Sequence, residues 1–474
     1  MNALPSELLV RVLMQMEPEE LSRCDQLSKL FHGPPSLVEQ ALRLLSSEGG
    51  RNGMPETLPN NHANWTQALL FLAILWRGSK YKLVACSNGC SAFVDADGTL
   101  LMCGKPYPGT EGLGFGGTIN QSIPTPVAGL VGVRVQSVVA KRYHIIALSV
   151  DGVAFSWGCG AHGQLGHGDR EHVAQPKAIR ALSNVCAIET ETHYSLAITS
   201  DGALWSWGSS EYYQLGHGDD RSELLPRRLE ALAGKRMCAA AAGYTHSLAA
   251  CVDGGCFLWG TVATNYSNRM YSNRISQPQS IHALCGEHVS SVAASDYSSC
   301  VVTRQGDIWL WGSWGRGSGL GCMNEPTPLK GTLLDTHRVV FVSYHNNGWL
   351  ALTADGTVFS WVVAEAYDSE NVDRPRHLLG HGDAVDAPCT RLYMPRPIEA
   401  LAGQHVCSVL TTNNACFAAG WTDGHAQRPQ WACWSWGYNS FAEHWQSLGH
   451  GEKHANTSLP RRVVGMGVAT SVTG

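Results

Sequence analysis

The phrase Asp201-Gly-Ala-Leu-Trp-Ser-Trp-Gly208, running on through Gln214-Leu-Gly-His-Gly-Asp219 to Pro226, limits the architecture more than any other stretch because it repeats. Asp151-Gly152 leads to Phe155-Ser-Trp-Gly158 and Gln164-Leu-Gly-His-Gly-Asp169. Weaker copies follow Asp97-Gly98, Asp253-Gly254, Gln305-Gly306 and Asp355-Gly356, and a last one is Cys433-Trp-Ser-Trp-Gly437 with Leu448-Gly-His-Gly-Glu452, making seven. Turn follows turn at about fifty residues, a period of propellers and solenoids. Alternation puts Leu204, Ser206 and Gly208 on one face and Trp205 and Trp207 on the other, which predicts a single strand between two turns.

Each unit keeps a fixed order. A strand such as Met237–Ala242 precedes Gly243-Tyr-Thr-His246, then come Ser247-Leu-Ala-Ala250, the Asp-Gly turn, the Trp-Gly strand and a proline-containing return. Four strands per unit is a propeller blade. The pairing of Trp-x-Trp-Gly with Gln-Leu-Gly-His-Gly-Asp resembles the regulator-of-chromosome-condensation repeat family over roughly residues 81–474, and the resemblance implies seven blades. Kelch repeats share the period, but their double glycine occurs here only at Gly116-Gly117 and Gly254-Gly255, out of register. The expected fold is mainly β: a seven-bladed β-propeller preceded by a small α-helical domain.

Within the repeats, Trp157, Trp207, Trp259, Trp311, Trp361 and Trp436 are expected to pack between neighbouring sheets. Gly158, Gly208, Gly260, Gly312 and Gly437 are expected to allow close backbone approach where blades crowd. His167, His217, His381 and His450 form a series that looks metal-binding, yet each belongs to a different blade, so a turn role is expected and no metal. Leading strands begin near Leu83, Val135, Val185, Met237, Val289, Val339, Val406 and Val468, one more than the Trp-Gly strands. The eighth, Gly467–Gly474, is expected to overlap or replace the strand at Lys82–Cys86 and so close the ring. The sixth unit carries excursions at 363–377 and 384–396, and the seventh carries Trp421 to Trp431 as a loop.

Residues 1–45 have a different period. Leu8, Leu9, Val12, Leu13 and Met16 fall on one stripe of a helix opened by Pro5; Pro18 opens a second, with Leu21, Cys24, Leu27 and Phe31. Ser36 and Glu39 form a capping box for a third. The order Leu4-Pro5-x-Glu7-Leu8-Leu9-x-x-Val12-Leu13, then Met16, Pro18 and Leu21, is similar to the F-box. That resemblance implies docking on the Skp-type adaptor of a cullin ligase, with Leu4, Pro5, Leu8, Leu9, Pro18 and Leu21 on or under the adaptor surface. The late tryptophan of the F-box is replaced by Phe31-His32. Residues 46–80 are a Gly/Asn/Pro-rich linker followed by a helix, Trp65 to Arg77, apolar nearly all round.

A net charge of −5 with 15% charged residues gives no broad basic field, so no sequence-independent grip on nucleic acid is expected. The sixteen cysteines are scattered, Met1-Asn-Ala-Leu-Pro-Ser-Glu7 is no signal peptide, and the run Ala68 to Trp76 is too short for a membrane span, so a cytoplasmic or nuclear protein is expected. There is no Gly-x-x-x-x-Gly-Lys, nucleophile elbow or His-Glu-x-x-His, so no enzyme and no cofactor are expected. The leading expectation is a substrate receptor of a ubiquitin ligase whose propeller holds a client. The alternatives are nucleotide exchange on a Ran-like small GTPase, or a scaffold. The family's UV-B sensors carry Gly-Trp-Arg-His-Thr where this chain has Gly243-Tyr-Thr-His246 and Lys141-Arg-Tyr-His144, which argues against light perception.

Overall fold

The computed structural model describes residues 82–87, 89–104, 121–263, 271–313, 322–345, 348–361, 380–381, 394–412, 415–422, 430–437, 448, 450 and 457–463. They form seven antiparallel sheets, each of four strands in sequential order. The blades span 84–126, 135–178, 185–228, 237–280, 289–328, 339–397 and 405–462. The seven-bladed propeller is therefore the fold. The helical module at 1–45, the helix at 65–77 and Gly467–Gly474 lie outside the described residues. The innermost place in blade 1 is filled by its own strand, Val84–Ser87.

An up-and-down meander fixes which loops share a face. First-to-second turns and third-to-fourth loops lie on one side, here called upper; the Asp-Gly turns and the returns between blades lie on the other. The sixth blade leaves its sheet after Trp361 and rejoins it at Arg396, between third and fourth strands. In the seventh blade the structure corrects the sequence reading: Trp421 and Trp431 are cross-strand partners inside long strands, Ala415–Thr422 and Gln430–Gly437, so the excursion shrinks to the stretch between them.

Alternation along the Trp-Gly strand does not separate inside from outside. Leu204, Ser206 and Trp207 are all buried and Trp205 is half-buried, because a blade has a neighbour on each face. Trp157, Trp207, Trp259, Trp361 and Trp436 are buried to 1% exposure or less and Trp311 to 2%. The Trp207 indole N–H donates to the Gln164 carbonyl of the preceding blade at 2.8 Å, and Trp259 donates to Gln214 at 2.7 Å. The Gln-Leu-Gly loop of one blade thus clasps the tryptophan of the next. Gly166 makes the clasp fit: its φ is +76°, and a Cβ there would stand 2.9 Å from the Trp207 indole nitrogen.

The glycines after the tryptophans, Gly158, Gly208, Gly260, Gly312 and Gly437, all have φ between 101° and 117°. At Gly208 a Cβ would lie 2.4 Å from the His193 carbonyl of its own blade, so the close approach lies within the sheet and not between sheets. The outermost strands each carry proline: Pro124 and Pro126, Pro176, Pro226, Pro278, Pro326 and Pro328, Pro397, and Pro460. Proline removes a ladder donor and blunts an open sheet edge.

The ring is closed, among the described residues, by packing. Phe93 of blade 1 meets Phe417 of blade 7 edge-on with centroids 6.0 Å apart. Phe93, Met102 and Cys103 share one apolar core with Phe417, Ala419 and Cys433. The Leu83 amide also donates across the seam to Ser408 Oγ at 3.4 Å.

Candidate functional site

The turns between first and second strands place two kinds of side chain. Where the second strand begins, His144, Tyr194 and His246 point inward and stitch each blade to the next. His144 Nε2 is hydrogen-bonded to Ser195 Oγ at 3.0 Å and His246 Nε2 to Ser299 Oγ at 2.9 Å. The Tyr194 hydroxyl donates toward the carbonyls of Gly243 and His246, each at 2.8 Å. Burial holds both imidazoles neutral, with pKa values pushed down to about 3 for His144, aided by the nearby His193, and about 4 for His246. The His144 and Ser195 pair has the atoms of a nucleophile and base, but both are buried, and Ser195 Oγ donates to the Gln164 carbonyl at 3.0 Å. Its role is structural.

Above this buried stitch lies an aromatic arc. His162 and His193 sit 4.3 Å apart by ring centroids, His193 and Tyr244 6.2 Å, Tyr212 and Tyr244 6.0 Å, and Tyr244 and Tyr297 6.5 Å. Those five rings come from four consecutive blades, 2 to 5, and from two different loop slots. His162 is exposed and the other four are half-buried. Burial first, then the neighbouring His162 and Arg142, lower the His193 pKa to about 4, so the His193 ring is neutral at neutral pH. Aromatic rings half out of water present apolar area with polar tips, the chemistry of a protein-binding surface.

The central channel encloses about 100 Å³ between the innermost strands, with Val84, Val139, Ala241, Val292, Val342 and Val409 among its walls. Glu189 projects into it and pairs with Lys82 at 2.5 Å, while Lys141 pairs with Glu191 at 3.1 Å. Burial raises the Glu189 pKa, against the pull of Lys82. Near the upper rim, two charge pairs thus lie close to the aromatic rings.

The histidines of Leu-Gly-His-Gly are held singly. Ser156 Oγ bonds His167 at 3.1 Å, Ser206 bonds His217 at 2.9 Å, Ser360 bonds His381 at 3.0 Å and Ser435 bonds His450 at 2.9 Å, each within one blade. Among the described residues no group of three or more His, Cys, Asp or Glu side chains is placed to hold a metal. No helix among them is long and apolar enough to cross a membrane. Leu4, Pro5, Leu8, Leu9, Pro18 and Leu21 lie outside the described residues. The aromatic arc escaped sequence reasoning; its signal was the recurrence of an aromatic one or two residues before His144, Tyr194, His246 and Ser298.

Clasped four-stranded blades in a ring of seven define a repeat propeller with two loop-bearing faces. The repeats are regulator of chromosome condensation (RCC1) repeats: residues 151–198 and 201–250 match that family model. Human E3 ubiquitin-protein ligase HERC2 is 30% identical over 69% of this chain, which covers 5% of that protein. The ultraviolet-B receptor UVR8 of Arabidopsis thaliana is 26% identical over 69% of this chain and 61% of its own length. The fold is also that of Prp20p from Saccharomyces cerevisiae, with a TM-score of 0.58 at 18% identity over 78% of this chain and 87% of that one.

Proposed function

We propose that the protein is the substrate receptor of a Skp–cullin–F-box type ubiquitin ligase, working in the cytosol or nucleus, with a client protein held on the upper face. The observation that carries this reading is the aromatic arc across four blades, a surface suited to holding a protein. The F-box-like order of Leu4, Pro5, Leu8, Leu9, Pro18 and Leu21 supplies the other hand. Ubiquitin transfer needs a client held close to the ligase, and a rigid ring joined to an adaptor-binding module provides that. HERC2 shares the propeller repeats over a small part of its length, so its ligase activity is not carried across.

Two variants of the full chain separate the two hands in affinity purification. Leu8→Asp with Leu9→Asp is expected to lose the Skp-type adaptor and keep the client. Tyr244→Ala with Tyr297→Ala is expected to keep the adaptor and lose the client. Undiminished adaptor capture by the first variant would sink the proposal. Nucleotide exchange on a small GTPase is the second reading, favoured by the likeness to Prp20p, which is described with its binding to Gsp1p and histones. Accelerated release of labelled GDP by the full chain, abolished by Tyr244→Ala, would favour it instead.

A further inference from the structure

The lower rim of blade 2 differs from its counterparts. Val131 is 74% exposed, and Val150 and Val153 are each 39% exposed. Val131 follows the short turn Ala128–Leu130, a slot held by Ala233, Cys285 and Ala402 in other returns. The Val150 amide donates to the Arg134 carbonyl, and Ser200, Arg304 and Ala354 make the same bond in blades 3, 5 and 6. The Val153 carbonyl closes its Asp-Gly turn by accepting from Ser149, as Ala203, Gly255, Asp307 and Thr357 do in theirs. Blade 2 alone among these blades puts a β-branched apolar side chain in all three slots; Val252 of blade 4 is a single instance. Exposed turns made of valine are an apolar surface that water does not favour.

The chain reaches the ring beside that rim. The Lys82 carbonyl accepts from the Val138 amide of blade 2, Leu83 accepts from Val94, and Gly98, in the turn that follows, accepts from Val135. Lys82 also receives Ser137 of blade 2 as a partner for its own amide at 3.1 Å. Its side chain is tied across the channel to Glu189. Residues 78–81 join this anchored point to the apolar segment ending at Arg77, a reach of about 17 Å at most. Trp65, Leu69, Leu70, Leu72, Ile74 and Trp76 give that segment more apolar surface than one helix face can hide.

From this we infer that segment 65–77, which lies outside the described residues, docks on the lower rim of blade 2 over Val131, Val150 and Val153. The amino-terminal module is thereby fixed to the face opposite the aromatic arc. The inference does not depend on what the module or the arc binds.

Hydrogen–deuterium exchange on the full chain tests it. Val131→Asp combined with Val150→Asp alters exposed side chains, so the strands of blades 4 and 5 are expected to keep their protection. Amides across 65–77 are expected to exchange at least about tenfold faster than in the parent, the signature of a lost local packing free energy. A second pair, Leu70→Cys with Val131→Cys, is expected to form an intramolecular disulfide in dilute protein. Exchange across 65–77 that is unchanged by the aspartates overturns the inference. So does a disulfide that forms only between chains, which would make a second copy the occupant of the rim.

Discussion

Blades 2 to 5 and the junction of blades 7 and 1 both hold neighbouring sheets at a fixed angle, by different physics. In the first region directional contacts are added to the shared apolar clusters: an indole N–H on a backbone carbonyl, and an imidazole or phenol on the next blade's hydroxyls and carbonyls. At the junction the equivalent slot of blade 7 holds Ala415 where the other region has His144, Tyr194 and His246, and Cys103 of blade 1 stands where a clasped tryptophan would. There the shared apolar core is joined by a long hydrogen bond from the Leu83 amide to Ser408. A repeat can afford stereotyped polar contacts because each unit offers the next the same geometry; where first meets last, burial is more forgiving of mismatch.

Acid is expected to separate the two regions most. His144 and His246 are neutral when folded, with pKa values near 3 and 4, against about 6.5 when unfolded. Depressed folded values mean that the unfolded chain takes up protons first as pH falls. Their stability contribution is therefore whole above about pH 6.5 and is lost as pH falls to about 4 for His246 and about 3 for His144, together on the order of 8 kcal/mol. Hydrogen exchange compared at pH 7 and pH 4.5 should show blades 2 to 5 losing protection before the Phe93–Phe417 junction; uniform loss would deny the distinction.

Truncation comes next. Trp207→Ala should cost about 3–5 kcal/mol in denaturant melts, and Phe417→Ala about 3 kcal/mol. The sharper comparison is Trp207→Phe, which trims ring area and also removes one of the two donors to the Gln164 carbonyl, leaving Ser195 Oγ, at about 1–3 kcal/mol. Phe417→Leu, a loss of area alone, should cost about 1 kcal/mol. Equal penalties for these two would mean that the clasp is not directional.

Gly166→Ala should cost about 1–3 kcal/mol, since it forces alanine into positive φ against the Trp207 ring. The smallest effect is expected of Ser408→Ala, about 0.5 kcal/mol, because a 3.4 Å hydrogen bond contributes little.

The repeat was legible because its marks are side chains at fixed spacing: Trp-Gly, Asp-Gly and the leading strands at Val135, Val185, Met237, Val289 and Val339 all fall where the strands lie. The clasp was half legible. Gln164 and Gln214 stand out in the phrase, but the atom that acts is a backbone carbonyl, which every residue has. Trp205 and Trp207 read as one face of a half-buried strand, whereas a strand sandwiched between blades has no wet face. The aromatic arc was hidden by distance along the chain: Tyr212 and Tyr244 meet from different loops of different blades. The valines of blade 2 were visible in the sequence, but only their slots in the ring show that no other compared blade fills all three with them.

The prolines of the outer strands have a consequence for how the molecule can be used. A disc whose circumference refuses an added strand can be approached only along its axle, from one end or the other. Whatever is seated there keeps a set heading relative to the rest of the chain, with rotation about that axle as its main remaining freedom.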